Sequence, residues 1–317
     1  MADLQALENL VNRYVDCWRS QRPTYAGIFE DNDFGCEGLQ VFRNDFQIEA
    51  FTHHELCQLA TLLTRSLRGQ INSDHKIFWS WCASLPLHFL DEVGLFQDHD
   101  WASAFRSLVN LMLAGTRRFP AGPMFLNRYR EALNHVNSHL MNVAVDKHML
   151  GASHGFAVLE GLLRRKSQNY IGNDGVVLKP FQVTDPGMGS KTFTAGGRLN
   201  RIRDGLRLFE QVTTRDRNRA CPALQELSVE IAALYPNTGD VFELVDSWRN
   251  ELLHGQQYWQ DRVPIMLNLV SLLAVDEIEP ALYDSKMPQL KAMAGWVVEL
   301  QQQATPLHPS QIFPPDL

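Results

Sequence analysis

The sequence lacks the features that mark membrane, secreted and zinc-ribbon proteins. Its 317 residues contain no apolar run of about eighteen residues, so a membrane-spanning helix is not expected. The first residues, Met1-Ala2-Asp3-Leu4-Gln5, are polar and acidic, unlike the basic start and apolar middle of a signal peptide. The five cysteines are odd in number and widely spaced, and no Cys-x-x-Cys occurs, which disfavours a disulfide framework and a zinc ribbon. We therefore expect a cytoplasmic protein with no membrane partner, no metal and no other cofactor.

A large excess of positive charge is also missing. The net charge of −7 argues against a general nucleic-acid coat protein. The charge is unevenly distributed, because residues 131–275 are neutral while both flanking regions are acidic. Arginines are concentrated in that neutral region, at Arg198, Arg201, Arg203, Arg207, Arg215, Arg217 and Arg219. The cluster is either a solvated helix face or a phosphate-binding patch, and the sequence leaves both interpretations open.

Apolar side chains recur at the spacing of amphipathic helices along most of the chain. The spacing predicts a mainly α-helical protein, and Pro86 is expected to interrupt the aromatic-rich segment 76–96. A break is also expected near Gly151. The predicted helices cover 3–19, 56–67, 101–112, 124–168, 199–212, 222–234, 241–252 and 264–275.

One short segment has β character. Asn173-Asp174-Gly175 is a turn signal, and the β-prone run Val176-Val177-Leu178 follows it. A small β-hairpin is therefore predicted within residues 169–183, followed by an exposed loop over 184–197.

The clearest break in the first half is Phe119-Pro120-Ala121-Gly122-Pro123, since two prolines and a glycine do not continue a helix. We predict an N-terminal, mainly helical region over 1–123, of unknown role. A helical bundle over 124–275 and a C-terminal helix with a loose Pro-rich tail over 276–317 follow. The predicted core of the bundle contains Leu206, Phe209, Leu227, Ile231, Leu244, Trp248 and Leu252.

Two other segments look like motifs but fit poorly. Gly187–Thr192 has the look of a phosphate-binding loop, but Ser190 stands where a glycine must precede the lysine. His135 and His139 share a predicted helix face at a spacing that zinc ligands use, yet no third ligand is apparent. Ordinary helix histidines are favoured at these two positions.

The most informative segment is Trp248-Arg249-Asn250-Glu251-Leu252-Leu253-His254-Gly255. Its helix has a predicted start, because Asp240 followed by Glu243 has the form of a capping box. It also has a predicted end, because Gly255 takes the left-handed conformation of a C-terminal stop at little cost. An arginine, an asparagine and a histidine are thus expected near the end of one capped, amphipathic helix.

The order of these residues resembles the signature of the HEPN (higher eukaryotes and prokaryotes nucleotide-binding) domain family, a set of helical bundles that includes many ribonucleases. Arg68 with His75, and Arg130 with His135, have a similar spacing, but neither pair has the asparagine. The upstream segment 158–164, Val-Leu-Glu-Gly-Leu-Leu-Arg, is similar to an early helix of the family. The resemblance covers residues 131–275, and residues 1–130 resemble no family that we can name.

The resemblance implies a metal-independent endoribonuclease, and the residue types suit that chemistry. RNA carries its own nucleophile, the 2′-hydroxyl. His254 is the expected acid–base group, because histidine titrates near neutral pH. Arg249 is the expected cation at the phosphate, since arginine contacts two oxygens and stays charged. Asn250 is expected in support, and Glu160 is a candidate contact of Arg249, although a solvated glutamate is the simpler interpretation.

The implied partners are RNA, held by the arginine cluster, and a second copy of the chain. Helix positions five apart differ by about 140° in direction and about 7.5 Å in rise, so one arginine–histidine pair does not converge. By resemblance, a two-fold homodimer brings two such helices together. Two alternatives stay open: a catalytically silent module of the same type that binds RNA, a nucleotide or a partner protein, and a structural helical adaptor. A protein partner could also bind through residues 1–123.

Overall fold

The computed structural model is mainly helical, with one two-stranded antiparallel sheet, and it confirms the predicted fold class. The structure describes residues 4–21, 48–66, 73–90, 100–113, 148–187, 189–254 and 262–289.

Four helices make up the described part of the first half. They are α1 (Leu4–Gln21), α2 (His53–Ser66), α3 (Ser73–Leu90) and α4 (Asp100–Leu113), with a short 3-10 turn at Ile48–Ala50. The interruption expected at Pro86 is wrong, because α3 continues through this residue to Leu90. Leu85 and Phe89 are fully buried on either side of Pro86, so packing holds the helix together there.

The second half alternates helices with the small sheet. Residues 148–166 form helix α5, which passes through Gly151 without the expected break. The remaining elements are β1 (Phe181–Asp185), β2 (Gly189–Phe193), α6 (Ile202–Leu208), a π-helical turn (Phe209–Thr213), α7 (Thr214–Asp216), α8 (Pro222–Leu234), α9 (Val241–Leu253), α10 (Arg262–Glu277) and α11 (280–289).

The hairpin lies later in the chain than the sequence predicts. The turn at 173–175 closes only an isolated bridge between Ile171 and Val177. Strand β1 begins at the end of the predicted hairpin segment, and β2 lies in the segment expected to be a loop. The reason is apolar burial, since β1 alternates buried and exposed residues and packs against α6 and the π-helical turn. Its small core contains Tyr170, Ile171, Val177, Phe181, Val183, Phe193, Leu208 and Val212.

The main hydrophobic core joins helices from both halves of the chain. It extends from Leu7 in α1 to Met287 in α11, and α2 packs against both α8 and α10. A buried polar chain crosses the same contact: Trp79 Nε1 donates to Asn268 Oδ1 at 2.7 Å, and Asn268 Nδ2 donates to Thr64 Oγ1 at 2.9 Å. The predicted boundary near 123 and the predicted tail after 300 lie outside the described residues.

The predicted core of the second half is confirmed at five of its seven positions. Leu206, Phe209, Leu227, Ile231 and Trp248 are buried. Leu244 and Leu252 are half-buried against the edge of the core, on the flank of α9.

Candidate functional site

Helix α9 carries the motif residues, and its start is capped as predicted. The Asp240 carboxylate accepts a hydrogen bond from the backbone N–H of Phe242, which satisfies one of the free donors of the first turn. Glu243 is not part of a closed capping box, because its carboxylate accepts from Arg203 Nη1 at 3.1 Å. Trp248 is buried and meets Tyr235 edge to face, with ring centroids 5.4 Å apart. This burial fixes the rotation of α9 and therefore the direction of Arg249, the next residue.

Arg249 is held by Glu160, the residue that the sequence offered as its candidate contact. Glu160 Oε1 on α5 lies 2.8 Å from Arg249 Nε on α9, so this contact is present. Arg249 Nη1 also donates to the backbone carbonyl of Asn200 at 3.5 Å. The two contacts join α5, α9 and the segment before α6 around one guanidinium group.

A second arginine shares the same carboxylate. Arg164 Nη2 donates to Glu160 Oε2 at 3.3 Å, one helical turn further along α5. Arg164 Nη1 donates to the carbonyl of Asn173 at 3.0 Å, which ties the turn at 173–175 to the helix. Glu160 therefore bridges two arginines, one on its own helix and one on α9.

These three side chains lie at a cavity of about 340 Å³ between α5, α9 and the segment 198–202. Arg198 and Arg201 also line this cavity, and Asp174 is the second carboxylate at its wall. Four arginines face two carboxylates, so the cavity lining is positively charged. Its apolar lining consists of Leu163, Ile171, Leu199 and Ile202. We call this cavity the arginine pocket.

The backbone of segment 198–202 is fixed on both sides. Val176 forms an isolated bridge with Arg198, and the N–H of Leu199 donates to the carbonyl of Gly175 at 2.9 Å. At the other end, the N–H of Ile202 donates to Asp246 Oδ1 on α9 at 2.9 Å. Arg198 and Arg201 are exposed, and neither forms an ion pair within the part of the chain that the structure describes.

The other two motif residues do not reach the arginine pocket. Asn250 and His254 are both exposed, and neither lines the cavity. The N–H of His254 donates to the carbonyl of Asn250 at 3.2 Å, which closes the last turn of α9. Gly255, the predicted helix stop, lies outside the described residues. One copy of the chain thus separates the histidine from the arginine, as the helical spacing predicts.

The seven arginines of the predicted cluster lie in three kinds of surroundings, and this reduces the number that could form the expected RNA-binding surface. Arg203 and Arg207 are buried: Arg203 lies beside Asp185, Asp204 and Glu243, and Arg207 lies beside Glu210 and Asp240. Arg217 and Arg219 pair with the carboxylates of α10. Arg198 and Arg201 are exposed and have no ion pair with any residue that the structure describes, and Arg215 is exposed with its Nε 4.0 Å from Asp216 Oδ1.

The buried members were expected on a solvated face, and tertiary contacts explain the difference. The apolar stripe of α6 packs on one side, but the hairpin and α9 bring carboxylates onto the other side. Arg203 and Arg207 therefore face acidic side chains of the protein. They are not available as surface ligands for an RNA phosphate.

Arg164 is the pocket residue that the motif analysis missed as a site residue. Its signal was present in the sequence, because Glu160 and Arg164 stand four residues apart on a predicted helix and such pairs are neighbours. The contribution of Asn200 is a backbone carbonyl, so no side-chain pattern pointed to it.

No described helix combines the length and the hydropathy needed to cross a bilayer. Across the described ranges, no three histidine, cysteine, aspartate or glutamate side chains are grouped as metal ligands. His135 and His139 lie outside those ranges.

Comparisons of this chain with protein-family models, with curated proteins and with solved structures give no match. The resemblance to the HEPN family therefore rests on the residues at 158–164 and 249–255 alone.

Proposed function

We propose that the chain is a metal-independent endoribonuclease whose reaction site is the C-terminal end of α9. The observation that supports this proposal most directly is the orientation of Arg249. Glu160 and the carbonyl of Asn200 hold its guanidinium group at the mouth of a positively charged pocket, while His254 is exposed on the same helix.

In the proposed reaction the 2′-hydroxyl oxygen of RNA attacks the adjacent phosphorus, and the bond to the 5′-oxygen breaks. His254 as a neutral imidazole takes the proton of the 2′-hydroxyl, and an imidazolium gives a proton to the leaving 5′-oxygen. The products are a 2′,3′-cyclic phosphate and a free 5′-hydroxyl. Arg249 stabilises the extra negative charge on the phosphate oxygens at the transition state.

The proposal includes a two-fold homodimer, because one α9 helix offers a single histidine. A second copy of α9 would place two His254 side chains and two Arg249 side chains at one cleft, which allows one histidine to act as base and the other as acid. Light scattering at micromolar concentration should show a dimer. A strict monomer with no RNA-dependent association would contradict this part of the proposal.

Cleavage of mixed, end-labelled RNAs in EDTA tests the function. Wild type should produce ends with a 2′,3′-cyclic phosphate and should leave DNA intact. His254→Ala should abolish cleavage with little change in RNA affinity, because a general base acts mainly on the chemical step. Arg249→Lys should also fail, since lysine keeps the charge but loses the two-pronged contact.

Matched controls change exposed residues of the same types outside the proposed site. His154 is an exposed histidine on α5, so His154→Ala should cleave like wild type, and Arg106→Lys, at an exposed arginine of α4 outside the predicted cluster, should do the same. A requirement for magnesium, or cleavage that survives loss of both Arg249 and His254, would end the nuclease proposal.

The second candidate is a catalytically silent module that binds a nucleotide or RNA. It is favoured by one observation: the pocket is lined by Arg249 but not by His254, so binding and the proposed proton transfer are separate in one copy. Under this candidate, RNA binds in EDTA and depends on Arg249, but no cyclic phosphate forms.

A further inference from the structure

The arginine pocket has more positive charge than its own carboxylates can neutralise. Asp174 is committed to the neighbouring turn, because its Oδ1 accepts from the N–H of Val176 at 3.0 Å. Glu160 is then the one pocket carboxylate that contacts arginines in the described structure, and it serves both Arg164 and Arg249. Arg198 and Arg201 have no carboxylate partner among the described residues. The lining can therefore accept a further anion.

The ion pairs of Glu160 are partly exposed to solvent. The side chain of Glu160 is 25% exposed, and those of Arg249 and Arg164 are 30% and 33% exposed. Partly solvated pairs of this kind contribute little to stability, so an incoming anion can replace one partner at small cost. Phosphate is a stronger partner for two guanidinium groups, since its oxygens accept paired, charge-assisted hydrogen bonds.

The size and the walls of the pocket match a nucleotide. A volume of about 340 Å³ lies at the lower end of the range for small-ligand sites. Leu199 is half-buried and lines the pocket beside the arginines, which offers an apolar contact to a base or ribose next to a charged surface for a phosphate. A folded protein partner is too large for this cavity.

We infer that the arginine pocket binds one nucleotide phosphate, and that Glu160 is an internal competitor that occupies Arg249 and Arg164 until this phosphate replaces it. Arg198 and Arg201 are the ligands that stay free for the phosphate. The inference rests on the proposed function in one respect, because it names the group that engages Arg249 before cleavage. It also holds for a protein that binds without cleaving.

Binding of adenosine monophosphate and of a short single-stranded RNA, each measured by isothermal titration in EDTA, tests the inference. Arg198→Ala combined with Arg201→Ala should weaken both ligands by about tenfold or more, because two charged phosphate contacts are lost. Glu160→Gln should tighten both by about fivefold, because one negative charge leaves a solvated contact with the phosphate. Whichever ligand wild type binds more tightly identifies the source of the phosphate.

The controls change the same charges elsewhere. Arg106→Ala removes an exposed arginine of α4 that belongs neither to the pocket nor to the predicted arginine cluster, and Glu226→Gln removes an exposed glutamate of α8. Both should bind like wild type. Thermal unfolding of every variant separates loss of binding from loss of fold, and the isosteric Glu160→Gln is the variant least exposed to that problem.

The outcomes for binding and cleavage are distinguishable. Tighter binding by Glu160→Gln and weaker binding by the Arg198 and Arg201 variant support the inference, whether or not RNA is cut. Unchanged affinity in the arginine variant, or weaker binding by Glu160→Gln, overturns it and makes Glu160 a structural support for Arg249. Cleavage that persists with either of those results leaves the nuclease proposal standing without the phosphate pocket.

Discussion

Two groups of basic side chains from the second half of the chain lie in opposite surroundings. In the arginine pocket, four arginines are partly or fully exposed, and two of them, Arg164 and Arg249, share the Glu160 carboxylate. At the far end of α5, the side chain of Lys166 is completely buried, with its Nζ 2.8 Å from Asp276 Oδ2 and 3.3 Å from Glu277 Oε2. Arg217 and Arg219 join these same carboxylates from the segment after α7.

The difference separates a structural role from a binding role for the same residue types. The centre of the Lys166 cluster is shielded from water, since the Lys166 side chain is completely buried and those of Asp276 and Glu277 are 9% exposed. The cluster lies where α5, α2 and α10 converge, and His53 of α2 contacts the Val275 carbonyl at 2.9 Å beside it. Breaking such a cluster leaves a buried charge, so it has to stay intact. The arginines of the pocket are more exposed to solvent. Arg198 and Arg201 have no carboxylate partner among the described residues, so they are free to bind a ligand. Paired substitutions at buried and exposed positions test this contrast.

The largest effect is expected at two neighbouring positions of α9, where the hydrophobic core meets the arginine pocket. Trp248→Ala should lower the free energy of unfolding by about 3–5 kcal/mol, because a fully buried indole leaves a cavity. Arg249→Ala should cost about 1 kcal/mol or less, since its ion pair is partly solvated. Urea denaturation measures both, with Val229→Ala, at an exposed position of α8, as the neutral reference. Equal costs at 248 and 249 would contradict the assigned faces of α9.

A large loss of stability is also expected at the closed cluster. Lys166→Met should lower the free energy of unfolding by about 3 kcal/mol, because Asp276 and Glu277 lose their buried partner. Lys179→Met, which removes an exposed lysine, should change it by less than about 0.5 kcal/mol. Neither change should alter nucleotide binding. A stable Lys166→Met protein would show that the cluster is open to water.

The members of the arginine run should separate by burial. Arg203→Ala should cost about 2 kcal/mol, because Asp185 and Asp204 stay buried beside the gap; Lys191, 2.6 Å from Asp204, limits the loss. Arg201→Ala should leave stability within about 0.5 kcal/mol of wild type and should weaken nucleotide binding instead. The opposite assignment, with binding lost at 203 and stability lost at 201, would reverse the comparison.

The last expected effect is a dependence of stability on pH that comes from His75, a buried histidine of the first half, and not from the Lys166 cluster. Burial lowers the pKa of His75 to about 4, and its Nε2 lies 3.0 Å from the Leu63 carbonyl. The unfolded chain therefore binds the extra proton first, so stability should decline as the pH falls from about 6.5 to about 4, by about 2 kcal/mol at pH 5. His75→Gln should flatten this part of a urea-denaturation series.

The carboxylates of the charged cluster should respond only at lower pH, whereas His53 beside them, whose pKa is also lowered by burial, adds to the decline that begins at about pH 6.5. Burial alone raises the pKa of Asp276, but Lys166 and Arg219 bring it below its ordinary value. A carboxylate with a lowered pKa keeps its stabilising effect until the pH falls below the unfolded value of about 3.9. The His75→Gln protein could still lose stability above pH 5. If adding Lys166→Met to it abolished that loss, this order of titration would be contradicted.

The sequence by itself determined the helices and their buried faces. The spacing of apolar residues predicted the helix that carries Trp248, and Asp240 predicted its start, because a helix start needs only a local acceptor for its free N–H groups. The contact of Arg249 with Glu160 was a candidate on other grounds, because both residues lie in segments that resemble the same family.

Only the tertiary structure decided which charges are closed and which are open. Arg201, Arg203 and Arg207 are near neighbours in the chain, yet one is exposed and two are buried, because the partners of the buried two come from β1, α9 and the turn before α9. The strand pair at 181–193 was predicted only in part, for a related reason: its apolar residues gain burial against α6 and the π-helical turn, which no local turn signal reports. Charge pairing and sheet packing depend on residues that are distant in sequence, whereas helix periodicity and capping do not.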